Sequence, residues 1–395
     1  MNRSIALIAL VAFRIAYALL ATRIDPYLRQ DPLHGDSVFH DEMAWILASE
    51  GRLEFTKGLQ TSPLYIYLMA SVYWVFGHAP DAVRVVNAIL GVLSAFGAAA
   101  CARKLFDERI AHWTFWLTAL HPQLILLSGW LYTENLVIPL VVWSIWLLWD
   151  GSRIRSAILV GLLALTRANL LPLLPLFAIW TWRKEGWKPA GIFLLASALI
   201  IAPYVIYISS RFDRFVPISL GGFVLFWSNN PEADGGFAMK PPERIALKGE
   251  EVVVADFTKA DNWVDGDRKY MDLALAWIKE NPTDFASLVW QKTRLTLSPI
   301  GLQKPEHRSA KSVLIDFAYW IFLIIAHIGF FVGARVRSRD LWLIAIVWFV
   351  SWFFIWLYAG GSRTLLHMAP FMVLFFVRAL VLARQPVTAR YIETR

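Results

Sequence analysis

The sequence predicts an all-α polytopic membrane protein, on three observations. Hydrophobic residues make up 57% of the 395 positions, with 20 Trp and 26 Phe, more apolar surface than a soluble core of this size can bury. The apolar residues gather in runs near the roughly 20 residues that a helix needs to cross a bilayer. Lys and Arg concentrate in alternate connections between those runs, as in a chain threaded through a membrane.

The first run, Ser4 to Ala21 behind Arg3, reads as a spanning anchor rather than a secretory signal: it is long for a signal core and no small-x-small cleavage site follows. Arg14 interrupts it and must either snorkel to an interface or face the bundle interior. Further spanning runs lie near 82–102, 110–130, 134–149, 189–208, 312–333, 341–358 and 364–383. Residues 156–166 and 169–182 are two shorter stretches split by Thr166-Arg167-Ala168, a hairpin whose turn belongs in a protein-lined, wet recess because non-helical backbone cannot face lipid. Segment 62–77, from Ser62-Pro63-Leu64-Tyr65 to Phe76-Gly77, reads as an interfacial or partly inserted helix.

With 62–77 not crossing and the 156–182 pair crossing twice, the chain makes ten crossings. The connections on the N-terminal side then hold Arg103, Lys104 and Arg109; Arg153 and Arg155; Arg183, Lys184 and Lys188; and Arg335, Arg337 and Arg339. Arg384, Arg390 and Arg395 lie in the tail. Basic short loops stay cytoplasmic, so both termini are placed inside. Arg167 and Arg363 fall on the opposite side, where the turns are otherwise nearly free of cations, and need another reason to be there. The formal net charge of +8 is largely accounted for by the cytoplasmic loops and tail, and no nucleic-acid-binding module is visible. The single Cys101 sits in an apolar run and reads as a small buried residue; no zinc or redox motif exists.

The chain divides into three parts: 1–208, a transmembrane module with an outer loop at 22–61; 209–311, an extracytoplasmic subdomain; and 312–395, the last transmembrane helices and the tail. The 22–61 loop carries Gly35-Asp36-Ser37-Val38-Phe39-His40-Asp41-Glu42. Carboxylates beside a membrane are costly unless they face water or do chemistry, which makes Asp36 the first candidate. Its rival role is to cap a helix running from about Val38 to Glu50. The 209–311 part holds Gly221-Gly222-Phe223, the turn former Asn229-Asn230-Pro231, an amphipathic helix from about Asp267 to Glu280 ended by Asn281-Pro282, and a second helix from Thr283 to Leu297 with Lys292 and Arg294. Those two cations suit anchoring among lipid headgroups. Glu134 opens a span, where its charge also suits the positive helix end. His121 before Pro122 reads as a kink device.

The order of motifs resembles a known family. Gly35-Asp36 with Ala44 eight residues beyond the acid, the Pro63-Leu64-Tyr65 helix ending Phe76-Gly77, Asp81 to Phe106, Leu120-His121-Pro122, Thr133-Glu134-Asn135, Leu165-Thr166-Arg167, Gly221-Gly222 with Asn229-Asn230-Pro231, and Gly360-Gly361-Ser362-Arg363 before His367 and Pro370 succeed one another as in the GT-C glycosyltransferases of the protein O-mannosyltransferase and aminoarabinose-transferase superfamily. The resemblance implies a GT-C helix bundle that takes a sugar from a polyprenyl-phosphate carrier and passes it, with inversion, to a glycan, lipid or protein acceptor on the extracytoplasmic face. It implies Asp36 as general base, because a hydroxyl near neutral pH needs a positioned proton acceptor. Glu134 would assist beside it. Arg167, Arg363 and His367 would meet the donor phosphate, for which the Arg fork is suited. His40, Asp41, Glu42, Asn229, Asn230 and Lys292 are outer candidates around them. No cofactor requirement is read from the sequence; a divalent cation is the one candidate, to which Asp36, Asp41 and Glu134 would offer oxygen ligands if they converged.

One departure stands out. Many relatives carry Lys or His before the Pro-Leu-Tyr motif, whereas this chain reads Leu59-Gln60-Thr61-Ser62-Pro63 with Lys57 shifted, which argues against a dedicated aminoarabinose transferase. Two other classes stay open. One is a lipid or solute transporter or flippase lined by Arg14, Arg167 and Glu134, against which the polar groups cluster outside the midplane and no inverted repeat is seen. The other is an oligosaccharide ligase using a diphosphate carrier, which a cation-rich outer domain would favour; 209–311 is mixed in sign.

Overall fold

The apolar runs become helices in the order that hydropathy dictates, in a computed structural model that describes residues 3–33, 35–53, 62–236, 242–247, 249–254, 263–298, 310–336, 338–361 and 363–383. Lys57 and the tail arginines lie outside the described residues. The chain begins with α1 (Arg3–Ile24), a short α2 (Pro26–Gln30) and α3 (Asp36–Glu50), then α4 (Pro63–Phe76) and α5 (Pro80–Leu105). α4 packs on α3 through buried Met43, Ala44, Tyr65, Ile66 and Met69, while Trp74, Val75 and Phe76 at its far end are exposed.

Run 110–130 does not form one span. It breaks into α6 (Glu108–Ala119) and α7 (Pro122–Ser128), because Pro122 has no N–H to continue the helix. The break decides the fate of Arg14. The guanidinium turns inward, donating from Nη1 to the Ala119 carbonyl at 2.8 Å and from Nη2 to the Leu124 carbonyl at 2.7 Å, one carbonyl from each helix. Gly91 of α5 leaves the space, since a Cβ there would stand 2.8 Å from Arg14 Cζ. Gly91→Val is therefore expected to destabilise the protein by about 1–3 kcal/mol through overpacking. A thermal unfolding midpoint in detergent equal to that of wild type would show that Arg14 has another place to go.

α8 (Glu134–Trp149) comes next, then the expected hairpin: α9 (Arg153–Thr166), a 3-10 turn at Ala168–Leu170, and α10 (Leu173–Glu185). α11 (Trp187–Phe212) leads to α12 (Gly222–Trp227). Beyond it lies the one departure from an all-α chain among the described residues, an antiparallel hairpin of β1 (Arg244–Leu247) and β2 (Glu250–Val253), with Arg244 opposite Val253. Gly249 at φ +79 allows its tight turn. α13 (Trp263–Glu280) begins a turn earlier than expected, and α14 (Pro282–Thr296) matches its expected span closely. Leu225, Phe226, Ile245, Tyr270 and Ala274 form the small core of this segment. α15 (Ala310–Val336), α16 (Ser338–Leu357), a 3-10 turn at Leu366–Met368 and α17 (Ala369–Ala383) complete the bundle.

Among the described residues, five helices are long and apolar enough to cross a membrane: Ser4–Ile24, Pro80–Leu105, Trp187–Phe212, Asp340–Leu357 and Leu366–Ala383. The chain is an integral membrane protein. Fewer of the described helices span on their own than the ten crossings expected, because 110–130 is broken, the 156–182 pair is short, α8 has only 16 residues and the apolar part of α15 counted among them is Phe317–Val332. Small residues bring the helices together where lipid supplies no hydrophobic drive. Gly97 in α5, for example, lets Val142 of α8 approach so closely that a Cβ would sit 2.8 Å from its Cγ1.

Candidate active site

Asp36 opens α3, directly after Gly35. Gly35 has φ +65, and a Cβ on it would stand 2.7 Å from the Tyr132 hydroxyl, so the position is closed to other residues on two counts. Gly35, not Asp36, is the N-cap, and it makes no side-chain cap bond. The rival role for Asp36 therefore fails; its Oδ2 instead accepts from Arg363 Nη2 at 2.5 Å. Ser37 and His40, one turn apart on α3, grip the backbone of Leu131 from both sides: Ser37 Oγ accepts from its N–H at 3.2 Å, and His40 Nδ1 donates to its carbonyl at 2.6 Å. Burial holds the His40 imidazole below its ordinary pKa, consistent with a neutral ring that donates through Nδ1.

That grip is part of a larger one. The irregular backbone at 129–132 has every carbonyl answered by a side chain. Arg84 Nε donates to Gly129 at 2.9 Å, Asn87 Nδ2 to Trp130 at 3.1 Å, His40 to Leu131, and Asn135 Nδ2 to Trp130 and Tyr132 at 2.9 and 3.1 Å. Arg84 also donates to the Pro32 carbonyl at 2.6 Å, so one guanidinium joins the two loops. Sequence reasoning has no role for Arg84 and Asn87. The available signal is their cost, since an Arg and an Asn three apart at the head of an apolar run need partners.

The pinned loop presents Tyr132 and Glu134. Arg363 lies over the Tyr132 ring, 4.5 Å from Cζ to the centroid. Glu134 is buried at the first position of α8, and its Oε1 accepts from Arg167 Nη1 at 3.1 Å. Arg167 ends α9 in extended backbone, and the turn after it is held by Ser62, whose Oγ accepts from Ala168 N at 3.0 Å. Burial alone would lower the pKa of Arg363; the Glu134 and Asp36 carboxylates outweigh it and hold the guanidinium above its ordinary value. Burial pushes the Tyr132 hydroxyl up to about 12, so it stays protonated. Asp36, Tyr132, Glu134, Arg167 and Arg363 thus form one group: two carboxylates and two arginines linked through Arg363. Tyr132 carries no distinguishing signal in the sequence.

Other candidates go elsewhere. Asp41 is buried against Tyr73, whose hydroxyl donates to Oδ1, and against His78, whose Nε2 is 2.8 Å from Oδ2; Trp45 stacks on that imidazole at 5.0 Å. Glu42 lies half-buried beside it. Among the described residues no three of His, Cys, Asp and Glu gather to hold a metal ion, and Asp41 bonds Tyr73 and His78 apart from Asp36 and Glu134. His367 is buried with Nε2 2.6 Å from Ser351 Oγ, close enough to Arg167 and Glu134 to feel their charges but bonded to neither. Asn229 and Asn230 bond within the chain. Their Nδ2 groups donate to the Leu225 and Leu357 carbonyls, and to those of Phe226 and Trp227. Lys292 is not a headgroup anchor: it is fully buried, and burial pushes its ammonium down to about 7.

Residues 60–207 match the family model described as dolichyl-phosphate-mannose-protein mannosyltransferase. No curated protein matches the chain by sequence. Among solved structures, the Archaeoglobus fulgidus oligosaccharyltransferase in complex with Zn and sulfate superposes with a TM-score of 0.53 at 13% identity, over 98% of this chain and 50% of that one. The same enzyme tethered to an acceptor peptide containing the NVT sequon gives 0.54 at 12% identity, over 98% and 52%. ArnT from Cupriavidus metallidurans bound to undecaprenyl phosphate gives 0.47 at 14%, over 96% and 78%. The chain spans about half the length of the oligosaccharyltransferase it matches. Its helices, their order and the match over 60–207 identify it as a membrane protein with the GT-C glycosyltransferase fold.

Proposed function

We propose that the protein is a glycosyltransferase that moves a sugar from a polyprenyl-phosphate carrier to an acceptor hydroxyl on the extracytoplasmic face, with inversion and with both termini cytoplasmic. The observation that carries this reading is the Asp36–Arg363 pair joined to the Glu134–Arg167 pair, a proton acceptor set against two phosphate-binding cations. The family matched over 60–207 is named for a dolichyl-phosphate donor, which supports the carrier class.

In the resting site Arg363 occupies Asp36. A donor phosphate competes for the same guanidinium, whose five N–H groups match phosphate oxygens, and so leaves the carboxylate free as the donor arrives. Asp36 then takes the proton of the acceptor hydroxyl while that oxygen bonds to the anomeric carbon. The bond from that carbon to the phosphate oxygen breaks on the opposite face, and its electron pair leaves with the polyprenyl phosphate. Arg167 and Arg363 neutralise the charge that builds there, an effect worth most in a site screened from water. Glu134 holds Arg167 in place between turnovers.

The test is a panel of polyprenyl-monophosphate sugars, with a diphosphate-linked oligosaccharide as a separate arm, offered to the protein in proteoliposomes with lipid, glycan and peptide acceptors. Transfer from a monophosphate donor is expected. Transfer from the diphosphate donor alone would make the protein an oligosaccharide ligase. Movement of lipid or solute across the vesicle without transfer would make it a transporter or flippase.

A further inference from the structure

Lys292 is a fully buried cation that this chemistry leaves unused. Its Nζ, fully buried, donates to Asn229 Oδ1 at 2.7 Å, to the Trp356 carbonyl at 3.1 Å and to the Leu357 carbonyl at 3.4 Å. The two carbonyls belong to the last turn of α16, where they lack helical partners and the helix dipole favours a cation. Asn229 is itself tied to Leu357 by an Nδ2 bond of 2.8 Å. All three acceptors are neutral, so the burial of this ammonium is costly. A methionine of similar length would fill the space without that cost, but it could not tie α14, the Asn229 turn and the end of α16 to one atom.

The segment beyond α16 gives the tie a purpose. Arg363 stands six residues beyond Leu357, a stretch that if unanchored would reach up to roughly 20 Å. It is strapped to the same face of α14. Gly360 N donates to the Gly235 carbonyl at 2.9 Å and Gly361 N to Thr296 Oγ1 at 3.2 Å, while the Thr296 hydroxyl bonds the Lys292 carbonyl at 2.8 Å. Gly360 lies so close to α14 that a Cβ on it would stand 2.6 Å from Lys292 Cα. Trp356 Nε1 adds a bond to Thr293 Oγ1 at 3.1 Å.

We propose that Lys292 is a positioning residue, its buried ammonium clamping the end of α16 to the 209–298 segment and so fixing where Arg363 meets the donor phosphate. The role rests on the donor-site reading of Arg363. It makes the 209–298 segment a part of the donor site, which it serves without touching the donor.

The test uses the full chain in nanodiscs, with undecaprenyl phosphate as the probe and amide hydrogen exchange as a readout independent of activity. Lys292→Met is expected to speed exchange across 357–365 and to weaken undecaprenyl phosphate binding roughly tenfold, within the range of coupling between sites. In an Arg363→Gln background the same change is expected to cost nothing further, because the residue it positions is already gone. Unchanged exchange in folded Lys292→Met, or an equal loss in both backgrounds, overturns the clamp. Should Lys292→Met not fold, Lys292→Gln keeps a donor too short for both helix carbonyls and carries the same two expectations. Faster exchange in Lys292→Met, with binding untouched by Arg363→Gln as well, overturns the donor-site reading and upholds the clamp.

Discussion

Asp36→Asn is expected to lower transfer by about 10²- to 10⁴-fold, the share of a barrier that a positioned base removes. Asparagine keeps the size of the side chain and can still accept a bond from Arg363, so the geometry at the head of α3 survives. What it cannot do is take a proton. The side chain is about half exposed (49%), and pairs this exposed contribute about 0–1 kcal/mol, so the variant is expected to fold and to unfold at nearly the wild-type temperature. Arg167 and Arg363 remain, so the loss falls on kcat while the donor KM stays within a few-fold of wild type. Transfer by Asp36→Asn within about tenfold of wild type would place the base elsewhere, since no other loss at this position should be so small.

The division within the acidic cluster illustrates what the sequence can and cannot reveal. Asp36 and Asp41 are five residues apart on one helix, which puts them on different faces at 3.6 residues per turn, and the structure gives them separate partners. Which face meets the site depends on the loop at 129–132, and that is a tertiary fact. The hairpin turn at Arg167 is legible because an arginine between two short apolar helices has no solvated loop to occupy. Arg14 is half legible: its cost is plain, but the break at His121-Pro122 that receives it lies more than 100 residues on. Lys292 misleads for the same reason. On an amphipathic helix it reads as a surface cation, and only the arrival of α16 buries it. The β1–β2 hairpin escapes notice because its strands are short and sit in a polar stretch, with Gly249 as the one turn signal.

The second large effect separates stability from chemistry at Glu134. Arg167→Gln leaves a carboxylate that is only 4% exposed without its direct partner, and is expected to cost about 1–3 kcal/mol, less than a fully enclosed pair because Arg363 still acts on it. Donor binding should fall with it. Adding Glu134→Gln replaces the ion pair by two amides that can bond each other, which removes the stranded charge and should return most of the lost stability. If Arg167 serves the donor phosphate, the double variant regains most of that stability in a detergent melt yet still binds undecaprenyl phosphate weakly and transfers slowly. If donor binding and transfer return together with stability, Arg167 is no more than a counterion for Glu134, and Arg363 alone must carry the phosphate. Recovery of stability without recovery of binding is the outcome that the geometry requires, because a guanidinium beside a buried acid has donors left over and a glutamine in its place has none to match a phosphate.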